Sequence, residues 1–358
     1  LNPKNSNQQK ESCGSVKRIM NFISQKTKVL VALFLILGIQ GCNQEANPTR
    51  DSVEEDKDRK ALIMTVSEPI RFMAERITDD SWATIKFPAD ASVVDPVYWN
   101  PSPDTMRRYQ NADLILLNGG GYAKWIKSAS LKLSRLHDTS AAFKDRFILA
   151  KDAVLHQHGP DGEHSHEGYA NTTWLDFELA GMHADAILEV LIKQWPDHEE
   201  TMKKNHSILR NEFNKLHQEM LDIAKQIGNT PLLASHPVYQ YPTKAYGLKI
   251  HSLHWEPDTT PDETEWRDLD FFLTSIPAQW MIWEDTPTEA TQVMLKQRKI
   301  KWVVFRPQGG LIESGDFLSS MQTNLKALCT CRHARHTDRS AIGCRLRSSI
   351  CQRSRARS

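Results

Sequence analysis

DHEETMKKNHSILRNEFNKLHQEMLDIAKQI, residues 197–227, is the stretch that decides the fold. Its apolar residues recur at intervals of three, four and seven positions, which predicts one amphipathic helix with a single apolar stripe. At 1.5 Å per residue such a helix would be roughly 45 Å long, more than one small lobe requires. We therefore predict that it braces two lobes. The stripe consists of Met202, Leu209, Phe213, Leu216, Met220, Ile223 and Ile227.

Short apolar runs alternate with helical patterns on both sides of this segment. Such alternation is typical of parallel sheets covered by helices. The predicted fold class is therefore α/β, with two lobes that each contain a parallel sheet flanked by helices, joined by one long rigid helix. The strands are predicted at residues 62–66, 82–87, 114–117, 232–234, 250–253, 280–283 and 302–305.

Charge and cysteine content divide the chain into unlike parts. Residues 42–328 contain 31 basic and 42 acidic residues, whereas residues 1–41 and 329–358 are both basic. An acidic body argues against nucleic acid as a partner and suits a cationic ligand. None of the six cysteines lies between residues 43 and 328, so metal ligands there would be His, Asp or Glu.

The predicted organisation follows from these differences. Residues 1–41 form a signal region that starts at Met20, and residues 42–60 a lipid-anchored flexible linker. An N-terminal lobe with a His-rich loop spans 61–196, the bridging helix 197–227, and the C-terminal lobe 228–328. Residues 329–358 are predicted to be a disordered basic tail, for which out-of-frame readthrough is an alternative origin.

Residues 26–42 have the pattern of a bacterial export signal. Two lysines precede an apolar run of about 11 residues, too short to span a bilayer. The following Ile39-Gln40-Gly41-Cys42 resembles a lipobox, in which the cysteine is acylated. We predict lipid attachment at Cys42, with a plain secretory signal as the alternative. Either reading places the body outside the cytoplasm, in the bacterial cell envelope.

Four histidines lie within eleven residues of a Gly/Pro/Asp-rich loop. Neutral imidazoles bind Zn²⁺ and similar ions, and this composition favours a surface loop. We predict weak metal capture by the loop, with a solvated loop without metal as the alternative. The four are His156, His158, His164 and His166.

Polar residues follow the predicted strands of the C-terminal lobe. His236 comes just after the strand at 232–234, at the edge where open α/β sheets bind ligands. Imidazole and carboxylate together suit a divalent metal ion. The alternatives are that His236 caps a strand and that the acids form turns. The carboxylates are Glu256, Asp258 and Glu284, and Arg306 is similarly placed to pair with an acid or to bind an anion.

Several short segments form a recognisable series along the body. They are Asp95-Pro96, Pro101-Ser102-Pro103, Asn111 to Ile115, Asn118-Gly119, Trp125, Thr173-Trp174-Leu175-Asp176, Ser235-His236-Pro237, Tyr246-Gly247-Leu248 and Trp283-Glu284. This series resembles the zinc/manganese-type periplasmic solute-binding lipoproteins of ABC metal importers, over residues 62–328. The resemblance implies two α/β lobes bridged by a rigid helix, with a metal ion held between them by histidines and a carboxylate.

The sequence departs from that family at three expected ligand positions. Val97 and Thr172 stand where the resemblance implies histidines, and Arg306 stands where it implies an aspartate. Of the ligand positions that the resemblance implies, His236 alone carries the usual residue. The site would therefore be rebuilt from His236, the three carboxylates, His254 and the loop, or the cleft would bind another ligand. Further cleft candidates are Asp95, Tyr98, Thr172, His254 and Arg306.

The predicted function is capture of a divalent metal, Zn²⁺ or Mn²⁺, and its delivery to an ABC permease by a monomeric, membrane-anchored protein. One alternative is the same fold with a cleft for an organic or chelated ligand, suggested by Arg306 and the aromatic residues Tyr98, Trp99 and Trp255. Another is a surface adhesin with a vestigial cleft. Enzymatic activity is not predicted, because the sequence has no nucleophile–base or metallohydrolase motif.

Overall fold

The computed structural model describes residues 59–88, 97, 99–150, 156–157, 163–164, 168–256, 258–312 and 314–332. The helices are α1 Glu68–Ile77, α2 Pro103–Asn111, α3 Phe177–Gln194, α4 Glu199–Ile227, α5 Gln240–Tyr246, α6 Glu263–Ser275, α7 Glu289–Gln297 and α8 Phe317–Leu328. The strands are β1 Ala61–Thr65, β2 Ala83–Lys86, β3 Leu114–Leu117, β4 Leu136–Asp138, β5 His156–Gln157, β6 Glu163–His164, β7 Pro231–Ala234, β8 Lys249–Ser252, β9 Trp280–Trp283 and β10 Lys301–Val304.

Two four-stranded parallel sheets form the framework. The N-terminal sheet has the order β2-β1-β3-β4, and the C-terminal sheet has the order β10-β9-β7-β8. All pairings within both sheets are parallel. The central strands β1, β3, β7 and β9 are largely buried, whereas the edge strands β4, β8 and β10 are more exposed. Buried central strands are typical of parallel sheets built from βαβ connections. The predicted α/β class with two parallel sheets is confirmed.

The long helix α4 has 29 residues and begins two residues later than predicted, after a 3₁₀ turn at Pro196–His198. All seven residues of the predicted apolar stripe are buried, together with Ala224. The helix packs against α1 and α3, which precede it in the sequence, and against α8, which follows it. One hydrophobic cluster accordingly includes Ile63 of the N-terminal sheet, Phe213 of α4 and Leu232 of the C-terminal sheet.

The folded body extends past residue 328. Cys329–Cys331 form a 3₁₀ turn after α8, and both cysteines are buried. Burial raises the pKa of Cys331 to about 12, so it is held as a neutral thiol. These residues, which the sequence placed in the disordered tail, are instead part of the core. The remainder of the predicted tail lies outside the described residues.

The predicted signal region and Cys42 also lie outside the described residues. No helix within the described ranges is both long and apolar enough to cross a membrane.

Candidate metal-binding site

His236 lies where the sequence predicted, two residues beyond the end of β7. The main chain there is fixed to the neighbouring strands, because the Ser235 amide donates to Ile282 and the Trp255 amide donates to the Ser235 carbonyl, at 2.9 and 2.7 Å. The imidazole is therefore held at the carboxyl edge of the C-terminal sheet. Its side chain is 9% exposed.

A carboxylate and a second imidazole lie beside His236. Nδ1 of His236 is 3.3 Å from Oε1 of Glu256. The His254 ring is 6.2 Å from the His236 ring, nearly perpendicular to it. A carboxylate at Nδ1 favours the proton on that nitrogen, and in this tautomer the Nε2 lone pair is the metal-binding atom. Glu256 is thus suited to orient His236 as well as to bind a cation.

Glu284 follows β9 at the same edge and is half-buried. Its charge acts on the buried Tyr239, whose pKa is raised first by burial and further by Glu284. The Tyr239 hydroxyl donates to the Phe305 carbonyl at 2.7 Å. Asp258 is exposed. Glu284 therefore contributes negative potential to the edge that carries His236.

The described residues do not assemble a complete ligand set. Within the described ranges, no group of three or more His, Cys, Asp or Glu is arranged to hold a metal ion. Asp95, Tyr98, His158 and His166 lie outside those ranges. Of the loop, the structure describes two short antiparallel strands in which His156 pairs with His164. Of the candidates predicted from the sequence, the structure brings His236, Glu256 and His254 close together.

The structure places the three residues that differ from the expected ligands, Val97, Thr172 and Arg306. Val97 is buried. The Thr172 hydroxyl donates to the Val238 carbonyl at 2.6 Å, two residues after His236. Arg306 forms an ion pair with Asp285, Nη2 to Oδ1 at 2.5 Å, so the expectation that it pairs with an acid is confirmed. Thr172 therefore places the first half of the chain next to the His236 segment.

Further contacts between the two halves were not predicted. The Trp174 indole donates to the Pro307 carbonyl at 2.7 Å. Gly309 accepts from the Glu68 amide at 3.1 Å and from the Tyr122 hydroxyl at 3.3 Å. Trp174 belongs to the Trp-Leu-Asp segment that contributed to the family resemblance. That resemblance was the one indication in the sequence that Trp174 has a specific role. The segment that follows β10 is thereby fixed to the N-terminal half.

Two buried carboxylates support this junction. Glu68 is fully buried and pairs with Arg71, and Asp176 caps α3 and lies 2.8 Å from Arg146. Burial raises the pKa of each carboxyl, while the neighbouring arginine acts in the opposite direction. Each of the two carboxylates is therefore partnered by an arginine where it is buried.

The family model described as zinc-uptake complex component A, periplasmic, matches residues 63–331. Zinc-binding lipoprotein AdcA of Streptococcus pneumoniae (strain ATCC BAA-255 / R6) is 22% identical over 322 residues, which cover 85% of this chain and 60% of AdcA. Manganese ABC transporter substrate-binding lipoprotein PsaA of the same species is 24% identical, over 67% of this chain and 76% of PsaA. The chain thus spans 60% of the length of AdcA.

The fold also resembles that of a solved structure of AdcA. The crystal structure of the Zn(II)-bound ZnuA-like domain of Streptococcus pneumoniae AdcA aligns with a TM-score of 0.64 at 20% identity, covering 76% of this chain and 99% of that domain. Because the family model matches well over half of the sequence, the chain belongs to the periplasmic zinc-uptake component A (ZnuA) family.

Proposed function

We propose that this protein captures a divalent metal ion outside the cytoplasmic membrane and delivers it to an ABC permease. The observation that carries the proposal is the contact of His236 with Glu256 at a sheet edge in a chain of this family. The metal-related names of AdcA and PsaA support metal over an organic ligand. The metal is cargo, bound and released without chemical change.

Zn²⁺ is the first candidate and Mn²⁺ the second. Imidazole nitrogen favours zinc, whereas a site made mostly of carboxylate oxygens suits manganese. His236 and the adjacent His254 supply two imidazoles, and Glu256 and Glu284 supply oxygen. The acidic body raises the local cation concentration around this edge.

The remaining parts of the proposal come from the sequence and the family. Acylation at Cys42 would keep the protein at the membrane on the periplasmic or extracellular face. The proposed partner is an ABC permease, and the name of the relative PsaA, an ABC transporter substrate-binding lipoprotein, supports this. We propose that the protein acts as a monomer without a nucleic-acid partner.

Isothermal titration of the full chain with Zn²⁺ and Mn²⁺ tests the site, with Cys42→Ser introduced to prevent acylation. The four loop histidines are replaced by Ala in one variant, so that loop capture is measured separately. We expect one ion to bind that variant. Adding His236→Ala should abolish this binding, and adding Glu256→Gln should weaken it roughly tenfold or more, as loss of an orienting partner does.

A matched control is His251→Ala, a half-buried histidine on β8 that packs against Phe272. It should leave the affinity unchanged. Unchanged binding in His236→Ala, or loss of all binding with the four loop histidines, would refute the site.

A further inference from the structure

A groove of about 900 Å³ lies at the other edge of the C-terminal sheet. It is formed by one face of α7 along its length, the turn that follows and the first residues of β9 and β10. Because the strands are parallel, this edge is opposite the one that carries His236. The groove is therefore separate from the proposed metal site. Its lining includes Trp280, Trp302, Lys296, Lys299 and Lys301.

The groove is locally cationic on an acidic protein. All three lysines are exposed, and none of them forms an ion pair with a residue in the described parts of the chain. Lys301 lies over the Trp280 ring, 5.1 Å from its centroid. Glu289, in the first turn of α7, is the one carboxylate in the lining. The groove thus presents three positive charges to solvent, although residues 42–328 as a whole carry eleven more acidic than basic residues.

The backbone of Lys299 has an unusual conformation. Lys299 has a φ of 60°, in the left-handed region that favours glycine. Helix α5, by comparison, is followed directly by a glycine, Gly247, in the left-handed conformation. At the end of α7 the chain retains a lysine despite its conformational cost. Such an outlier is a reason to look for a function of the side chain.

The two tryptophans indicate the class of partner. Trp280 and Trp302 are half-buried, so each combines an apolar body with an accessible edge. Tryptophan beside lysine is the combination found at membrane–water interfaces, where the ring lies at the headgroup level and the ammonium meets lipid phosphate. Acylation at Cys42, where it occurs, would keep the chain beside such a surface.

We propose that the groove lined by Trp280, Trp302, Lys296, Lys299 and Lys301 docks the C-terminal half of the protein onto an anionic lipid surface. The lysines pair with lipid phosphates and the indoles lie among the headgroups. Without this patch, the acidic body would be repelled by the same surface. Docking through this edge leaves the His236 edge of the sheet uncovered.

Flotation of the full chain carrying Cys42→Ser with vesicles of phosphatidylglycerol or of phosphatidylcholine tests the proposal. We expect preferential binding to phosphatidylglycerol that decreases with salt. Each lysine near an anionic surface contributes roughly fivefold to partitioning, so Lys296→Gln with Lys299→Gln and Lys301→Gln should reduce it on the order of 100-fold.

The matched control replaces three exposed lysines of α4, Lys204, Lys215 and Lys225, by Gln. It changes the net charge equally and should bind vesicles like the parent. Equal loss in both triple variants would overturn the proposal, because it would show a nonspecific charge effect. Equally tight binding of soluble glycerol phosphate would also overturn it, since the groove would then be a site for a small phosphate.

Lys299→Gly separates function from folding. Glycine relieves the left-handed strain, so the urea midpoint of unfolding should rise. Vesicle binding should nevertheless fall about fivefold, because one charge is lost. Unchanged vesicle binding in this variant would contradict a role for the Lys299 side chain.

Discussion

The indole nitrogen of Trp174 donates a 2.7 Å hydrogen bond to the carbonyl oxygen of Pro307. Trp174 precedes α3 in the N-terminal half, and Pro307 follows β10 in the C-terminal half. The indole is almost fully buried. Together with the bonds of Gly309 to Glu68 and Tyr122, this contact fixes the segment after β10 against the other half of the chain. We expect it to restrict relative motion of the two sheets.

Trp174→Phe should lower the free energy of unfolding by about 1–3 kcal/mol, because the half-buried Pro307 carbonyl loses its donor and the smaller ring leaves a gap in the core. Urea unfolding measures the loss. Hydrogen exchange should become faster at residues 305–309, where the bond was made. The control is Tyr109→Phe, which removes a 2.8 Å bond to Thr65 within the N-terminal half. It should leave exchange at 305–309 unchanged, and faster exchange there in both variants would contradict the assignment.

Acid sensitivity should come in part from His183. This residue is fully buried between Thr139 and Thr173, whose hydroxyls lie 2.7 and 2.9 Å from its two ring nitrogens. Burial lowers its pKa from 6.5 to about 3, with Asp138 opposing the shift. Between these values the unfolded chain binds a proton that the folded protein does not. Stability should therefore fall as the pH decreases below 6.5, by at most about 1.4 kcal/mol per pH unit from this group.

The comparison that isolates this contribution is His183→Gln, which keeps polar groups near both threonines but does not titrate. The variant should be less stable at neutral pH. From pH 6 to pH 4, its free energy of unfolding should fall by roughly 2 kcal/mol less than that of the parent. Parallel pH profiles for the two proteins would show that His183 is not held neutral.

The fold was largely predictable because its signals are local. The predicted bounds of β3 and β9 match the structure, and the bounds of the other predicted strands differ by one residue at one or both ends. β4, Leu136–Asp138, was not predicted. Its residues, Leu-His-Asp, form no continuous apolar run and are all half-buried, and among the described strands it pairs with β3 alone. Tertiary pairing with β3 makes it a strand.

The site was predictable only in part. His236 follows a buried strand, so its position at the sheet edge could be inferred from the neighbouring residues alone. Glu256 was named as a candidate because it follows a predicted strand, but its contact with His236 results from the pairing of β7 with β8, which the sequence analysis did not predict. The bond from Trp174 to Pro307 joins residues 133 positions apart, and its acceptor is a backbone carbonyl. Nothing in the residue types encodes such a pairing.

Packing between α3 and α4 gives a third prediction. Gly181 of α3 lies under the Arg210 side chain of α4, and a Cβ on Gly181 would be 1.5 Å from Nη1 of Arg210. Arg210 is flexible and contacts Asp185 at 3.3 Å on the surface. In Gly181→Ala the arginine must move, which costs up to about 1 kcal/mol, while alanine in a helix gains about as much. The two effects should nearly cancel.

A double-mutant cycle measured by urea unfolding separates them. In an Arg210→Ala background nothing obstructs the new methyl group, so Gly181→Ala should stabilise the protein by about 1 kcal/mol. If Gly181→Ala has the same effect with and without Arg210, the two residues are not in contact.

The last prediction concerns the three departures from the resemblance. Thr172 lies within hydrogen-bond distance of the segment that carries His236, and Arg306 follows β10 at the same edge of the C-terminal sheet. Val97→His, Thr172→His and Arg306→Asp together would restore the ligands that the resemblance implies, giving three imidazoles and a carboxylate with His236. Four such ligands satisfy tetrahedral Zn²⁺. We expect zinc affinity at least on the order of 100-fold higher than in the parent, measured by titration with the loop histidines removed.

The same triple variant with His236→Ala is the decisive control, because it removes one of the four ligands and should lose most of the gain. Arg306→Asp alone removes the positive charge and frees Asp285 from its ion pair, so it should produce only a small increase. A triple variant that binds zinc no more tightly than the parent would show that positions 97, 172 and 306 do not converge on His236. The metal site would then have to be assembled from His236, Glu256 and His254 without them.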